Sequence, residues 1–183
     1  VSPLLLEFSG DRTTWHIDDQ YMFGHSLLVA PVFSRRPSRS VYLPQGPIWY
    51  DFWTDEVAAG AQWVEKDVPL DTMPLYVRGG AVLETGPVFN YTEEKEIDRL
   101  ELHYYPALAG SVGSAGAAAW TAETAVYGGG RLQVKETCSP SGELQIVCEY
   151  KGSLPAALVL HGLEAENCTA EGLAEVISGT AGI

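Results

Sequence analysis

Gly and Pro cut the residues from 38 onward so often that no long helix fits among them. Val41, Tyr42 and Leu43 stop at the turn cluster Pro44, Gln45, Gly46 and Pro47, residues that preset the backbone angles of a turn. Residues 49–53 (WYDFW) end in the polar cluster Thr54, Asp55 and Glu56. Residues 60–68 follow as a further strand, and residues 74–77 and 81–83 flank a Gly79, Gly80 hinge. Short apolar runs at a spacing of roughly 8 to 12 residues, punctuated by turn formers, are the pattern of a β-sandwich or barrel. The expected fold class is all-β.

The first third has another texture. Residues 26–33 (SLLVAPVF) do not alternate, which predicts a strand buried on both faces. Residues 1–8, with Leu4, Leu5 and Leu6 contiguous, read as a second buried strand broken at residues 9–11. Residues 14–17 read as a loop with two rings, and 18–24 as an acidic, aromatic loop. This stretch is the joint between two architectures. The densest charge lies in residues 91–98 and marks a second boundary. Glu93, Glu94, Lys95 and Glu96 would suit a helix, but Leu100, Leu102 and Tyr104 recur at period two, and the strand is preferred. Residues 107–119, rich in Gly, Ala and Ser, read as a loose loop or weak edge. Residues 132–134, 144–148 and 157–160 complete an antiparallel set, and after His161 the pattern thins into small polar residues.

At 183 residues and 46% hydrophobic content, the chain is one ordinary domain or two small ones with a real core. Its formal charge of -13, from 11 basic and 24 acidic residues, argues against nucleic acid. No Lys/Arg cluster exceeds the Arg35, Arg36 pair. No apolar run approaches the roughly 20 residues that span a bilayer, so no membrane is expected. Val1 opening directly on core-type residues leads us to expect a fragment, a processed subunit or a truncated chain. Cys138, Cys148 and Cys168, an odd count without C-x-x-C spacing, signal neither a zinc site nor a disulfide framework. Cys138 and Cys148 could pair across neighbouring strands, with free buried thiols preferred. Asn90 and Asn167 each begin an N-x-S/T acceptor pattern. With the acidic balance, these fit a secreted or vacuolar protein, and a cytoplasmic one would look much the same.

Five places invite a chemical reading. Asp18 and Asp19 could support acid/base work, but adjacent residues on an extended chain point apart, and turn hydrogen bonding is preferred. Residues 49–53 resemble a sugar subsite, rings for stacking and a carboxylate for hydroxyls. The preferred alternative is a sandwich strand with Tyr50 and Phe52 on one face and Trp49, Asp51 and Trp53 on the other. His16, His25, His103 and His161 are scattered, although distant residues could still meet in space. Residues 128–130 lack the Lys-Ser/Thr of a phosphate loop and read as a hairpin turn. Arg78 before Gly79 and Gly80 could serve an anion, with a tight turn and an exposed Arg preferred.

The order of motifs resembles the C-terminal portion of glycoside hydrolase family 31, the α-glucosidases and α-xylosidases. It is carried by residues 3–8 (PLLLEF), 15–24 (WHIDDQYMFG), 27–32 (LLVAPV), 41–44 (VYLP), 49–54 (WYDFWT), 69–71 (PLD) and 74–80 (PLYVRGG). It is collinear to about Pro87 and loose beyond Tyr91, where residues 91–105 lean towards the α-xylosidase branch. The resemblance implies that residues 1–24 hold the last strand of a catalytic (β/α)8 barrel. It implies that 25–92 form a proximal β-sandwich and 93–183 a distal β-domain, both antiparallel. It further implies retaining hydrolysis of terminal α-glucosyl or α-xylosyl residues by two aspartates, whose carboxyls sit roughly 5 to 5.5 Å apart in such enzymes. The nucleophile motif, Trp-x-Asp-Met-Asn-Glu, does not occur here, and the family's substrate-contacting His and Arg also lie upstream. No catalytic, substrate-binding or metal residue is therefore assigned within this chain, and no cofactor. The implied partner is the upstream barrel polypeptide, which would bind the α-linked oligosaccharide. Ser2 in place of the more usual Arg before Pro3 departs from the family. The alternative is a free-standing carbohydrate-binding sandwich using Trp49, Trp53 or Trp63.

Overall fold

The computed structural model describes residues 1–34, 38–69, 71–91, 94–108, 118–139, 143–163 and 168–179. The described residues are mostly β, with one α-helical turn. They form two compact units, Val1–Gly79 and Gly80–Thr180.

In the first unit, β1 (Ser2–Pro3), β2 (Tyr21–Phe23), β3 (Leu27–Val29), β8 (Leu75–Arg78), β5 (Ile48–Asp51) and β6 (Val57–Ala59) lie side by side in that order. Every pairing is antiparallel. A separate ribbon joins β4 (Ser38–Leu43) to β7 (Gln62–Asp67). Leu4, Met22, Leu28, Val41, Leu43, Trp49 and Tyr76 supply the core. The buried Trp49 donates its indole N–H to Pro44 O at 3.0 Å, which removes the one polar cost of burying so large a ring.

The second unit has two four-stranded sheets sharing one core. One runs β16 (Glu175–Gly179), β14 (Ala156–His161), β10 (Leu100–Tyr105), β9 (Ala81–Thr85). The other runs β11 (Ala118–Val126), β12 (Gly130–Cys138), β13 (Leu144–Lys151), β15 (Cys168–Glu171). Leu102 and Tyr104 meet Leu132, Val134, Ile146 and Leu158 in that core. Inward and outward residues alternate along β12 and β13, whereas β14 is buried along its whole length. Gly80, at φ 85, leads into β9; a Cβ there would lie 2.9 Å from the Trp120 ring, so glycine is required by both angle and space.

Several expectations are corrected. Residues 4–7 are not a strand but a helical turn, Leu4–Glu7, with Leu4 buried and Leu6 exposed. Four residues are too few to display a 3.6-residue period. Residues 14–17 largely belong to a 3-10 helix, Arg12–His16, capped by the Asp11 side chain. The loop expected over 18–24 contains β2, and the strand expected over 26–33 shortens to β3, leaving Val32 and Phe33 exposed. The set 132–134, 144–148 and 157–160 is antiparallel only between β12 and β13. β14 belongs to the other sheet and runs parallel to β10 and β16. Residues after His161 still form β15 and β16. Of the weak edge expected at 107–119, Ala118 and Ala119 start β11 and 109–117 lie outside the described residues. The strand at 100–105 and the hairpin turn at 128–130, a 3-10 turn Tyr127–Gly129 joining β11 to β12, are as expected. Asn167 lies outside the described residues, as does Thr92 of the other acceptor pattern.

Candidate functional site

The aromatic stretch begins in a strand and ends in a turn. β5 stops at Asp51, and the turn over residues 52–54 breaks the alternation that would put Trp49, Asp51 and Trp53 on one face. Trp49 is fully buried and Trp53 is 42% exposed. The Trp53 indole donates to Met73 O at 2.8 Å and stands edge-on to Phe52. Asp51 holds the turn: Oδ1 accepts from the backbone N–H of Trp53 at 2.9 Å and Thr54 at 3.1 Å. Oδ2 pairs with Lys66 Nζ at 2.8 Å. Lys66 also lies 3.6 Å from Glu56. Burial works against the Lys66 charge, but the hydrogen bond and charge of Asp51, aided by Glu56, hold the ammonium above its ordinary range. Burial, then the charges of Asp51 and Glu56, push the Tyr76 phenol up, so it stays protonated at neutral pH. These groups face a recess of about 510 Å³. The carboxylate of Asp51 is committed to three donors, the chemistry of a turn clamp.

The acidic loop is also committed. Asp19 receives Arg39 twice, Nη1 on Oδ2 at 2.9 Å and Nη2 on its carbonyl at 2.7 Å. Asp18 is exposed. The stronger fastenings nearby went unseen in the sequence. The buried Gln20 amide donates to Tyr42 O and accepts from Tyr42 N, both at 2.9 Å, imitating a strand neighbour. Asp11 accepts from Tyr42 Oη at 2.8 Å, Gln45 N at 2.9 Å and Thr13 N at 3.1 Å. Burial alone would raise the Asp11 carboxyl; these donors outweigh it and hold the group below the usual carboxylate range. The Asp11-x-Thr13 spacing, a cap signal, was the one clue available.

Two of the scattered histidines do meet. His103 Nδ1 and His161 Nε2 are 2.9 Å apart, Tyr105 stacks on His161 at 4.1 Å, and Thr85 Oγ1 lies 3.1 Å from His103 Nε2. Elsewhere His25 pairs with Glu7 at 3.1 Å, while His16 ends the 3-10 helix. Among the described residues no three His, Cys, Asp or Glu side chains are grouped to hold a metal ion, and no helix is long and apolar enough to cross a membrane. Arg78 is half-buried over the Phe8 ring at 5.7 Å rather than exposed. In the second unit an open cleft of about 1200 Å³ is lined by Phe89, Tyr91, Lys95, Tyr127 and Ser153, among others.

Residues 1–83 match the glycosyl hydrolase family 31 C-terminal domain. An α-xylosidase of Saccharolobus solfataricus is 43% identical over 114 residues, 60% of this chain and 15% of that protein. Alpha-glucosidase 2 of Bacillus thermoamyloliquefaciens is 33% identical over 111 residues, 60% of this chain and 14% of that protein. The crystal structure of a family 31 α-xylosidase from Xanthomonas citri aligns over 97% of this chain and 18% of its own, at 27% identity and a TM-score of 0.57. The chain thus spans about a seventh of the curated relatives named here. Its residues 1–83 are similar to the C-terminal domain of glycoside hydrolase family 31, and the remaining residues fall outside that match.

Proposed function

We propose that this chain is the scaffolding C-terminal segment of a retaining α-glycosidase that hydrolyses terminal α-glucosyl or α-xylosyl residues. The catalytic aspartates and the α-linked oligosaccharide site lie in an upstream (β/α)8-barrel polypeptide. Residues 1–24 form the end of that barrel, 25–92 the proximal sandwich and 93–183 the distal β-domain. The change of compact unit at Gly79 and Gly80 falls inside the proximal segment. The observation that carries the reading is the match of residues 1–83 to the family's C-terminal domain. Support comes from the carboxylates: Asp11, Asp19 and Asp51 are occupied in holding turns and strands together. Leu6, Phe23 and Phe33 are exposed at 71%, 62% and 76%, apolar area that an upstream barrel would cover.

The test is an assay of the 183-residue chain beside the same chain joined to its upstream polypeptide. The chain alone is expected to leave p-nitrophenyl α-glucoside and α-xyloside intact and to aggregate; the joined form is expected to hydrolyse one of them. Turnover by the chain alone, or a monomeric, cooperatively melting chain, overturns the reading. The second reading, a carbohydrate-binding module, now has a different carrier. Trp49 is buried and cannot stack on a sugar, whereas the second unit's cleft offers Tyr91 and Tyr127, 66% and 59% exposed. Binding of maltose or xyloglucan oligosaccharides that is lost in Tyr127→Ala, and kept in Trp53→Ala, would favour it.

A further inference from the structure

We propose that Cys148 and Cys168 are a dithiol/disulfide pair that fastens the edge strand β15 to β13. Their sulfurs are 4.0 Å apart. In the parallel register Ile146 faces Cys168 and Cys148 faces Ala170, which makes the two cysteines diagonal neighbours. Both side chains turn to the same core, Cys148 within it and Cys168 packed against it. Their accessibility differs: Cys148 is fully buried and Cys168 is only partly so. An oxidant therefore reaches Cys168 first. The third cysteine, Cys138, stands opposite Leu144 on the β12–β13 pairing, with its thiol directed to Ser139 O at 3.7 Å. The contact also divides the protons. The thiol–thiol contact draws Cys168 below its ordinary range, while the same contact, burial and the nearby Glu136 charge push the Cys148 thiol up.

The chemistry needs a small external disulfide, such as oxidised glutathione, as oxidant. The Cys168 thiolate attacks one of its sulfurs, releases the other as a thiolate and becomes a mixed disulfide. Cys148 then gives its proton to the departing sulfur and attacks Cys168 Sγ, and a second small thiol leaves. Two protein thiols have lost two electrons and two protons, and the small disulfide has become two thiols. The sulfurs must close from 4.0 Å to roughly 2 Å, and for diagonal neighbours that closure draws the edge strand β15 in towards β13. Among the described residues β15 pairs only with β13, at the end of its sheet, so the bond would secure an edge strand.

The full polypeptide carrying this chain is equilibrated in glutathione buffers from fully reduced to fully oxidised. Free thiols are then alkylated, and the protein is digested without reductant by trypsin with a Glu-specific protease, which separates Cys138 from Cys148 at Glu143. A linked Cys148–Cys168 peptide is expected to grow with oxidation and vanish with dithiothreitol, while Cys138 stays alkylated throughout. Full alkylation of all three at the most oxidising poise overturns the proposal, as does a link of Cys168 to any other cysteine. Oxidation is also expected to raise the melting temperature of the wild type by roughly 5–10 °C and to leave Cys168→Ser unmoved. An equal rise in both proteins overturns the fastening role.

Discussion

Two buried carboxylates in this chain titrate in opposite senses, and the difference lies in how far donors offset the loss of water. Asp11, 8% exposed, keeps enough donors to hold its carboxyl low. The folded state therefore releases that proton at a lower pH than the unfolded chain. The resulting stability is full above the unfolded value of about 3.9 and is lost as pH falls through the folded one. Asp11→Asn is expected to cost about 1–3 kcal/mol at neutral pH and to flatten the acid limb of stability, read by urea unfolding between about pH 2.5 and 7. Glu136 has no exposed surface; Tyr104 Oη, Ala107 N at 2.7 Å and Leu108 N at 2.8 Å donate to it. Burial raises its carboxyl, and those bonds recover only part of the shift. Its contribution runs the other way, full below the unfolded carboxylate value and lost as pH rises through the folded value. Glu136→Gln is expected to remove that decline, so the ratio of variant to wild-type stability should climb with pH. Trp49→Ala is expected to cost roughly 3–5 kcal/mol, while Trp53→Ala, at a half-exposed ring, should cost about 1 kcal/mol.

The elements show what a linear pattern can and cannot announce. β12 and β13 alternate strictly, and β10 carries its apolar residues at period two, so their existence was legible. β14 was legible as an apolar run, but its direction was not, because parallel pairing with β10 depends on residues more than fifty positions away. β2 and β3 are three-residue strands, too short for any period to register. The Gln20 amide that brackets Tyr42 and the ring contact between His103 and His161 are long-range meetings, 22 and 58 residues apart, with no local signature. The site reading fared similarly: Asp51 stood out through its aromatic company, yet its work is fixed by Lys66 on another strand. One element prediction follows from the turn between β15 and β16. Gly172 has φ +74, and a Cβ there would lie 2.1 Å from Tyr150 O. Gly172→Ala is expected to lower stability by about 2 kcal/mol and to raise amide exchange in β15 and β16 before other strands.

At the scale of the molecule, the buried polar side chains Asp11, Gln20, Asp51 and Glu136 all fasten strands and turns. The topology of the second unit adds a consequence of its own. β14 lies between β10 and β16 and is parallel to both, so the middle of that sheet is made of strands that leave the ribosome at well-separated times. The β11–β12–β13 meander closes through neighbouring hairpins on a microsecond scale, but β10 must wait for residue 161 before its second flank is covered. Non-local pairing of this kind slows folding and leaves an open edge meanwhile. Pulse-labelling exchange during refolding is expected to protect the amides of β12 and β13 ahead of those shared by β10 and β14. During synthesis, then, the interval between β10 and β14 is the window in which one edge of β10 stands open to pairing with another chain.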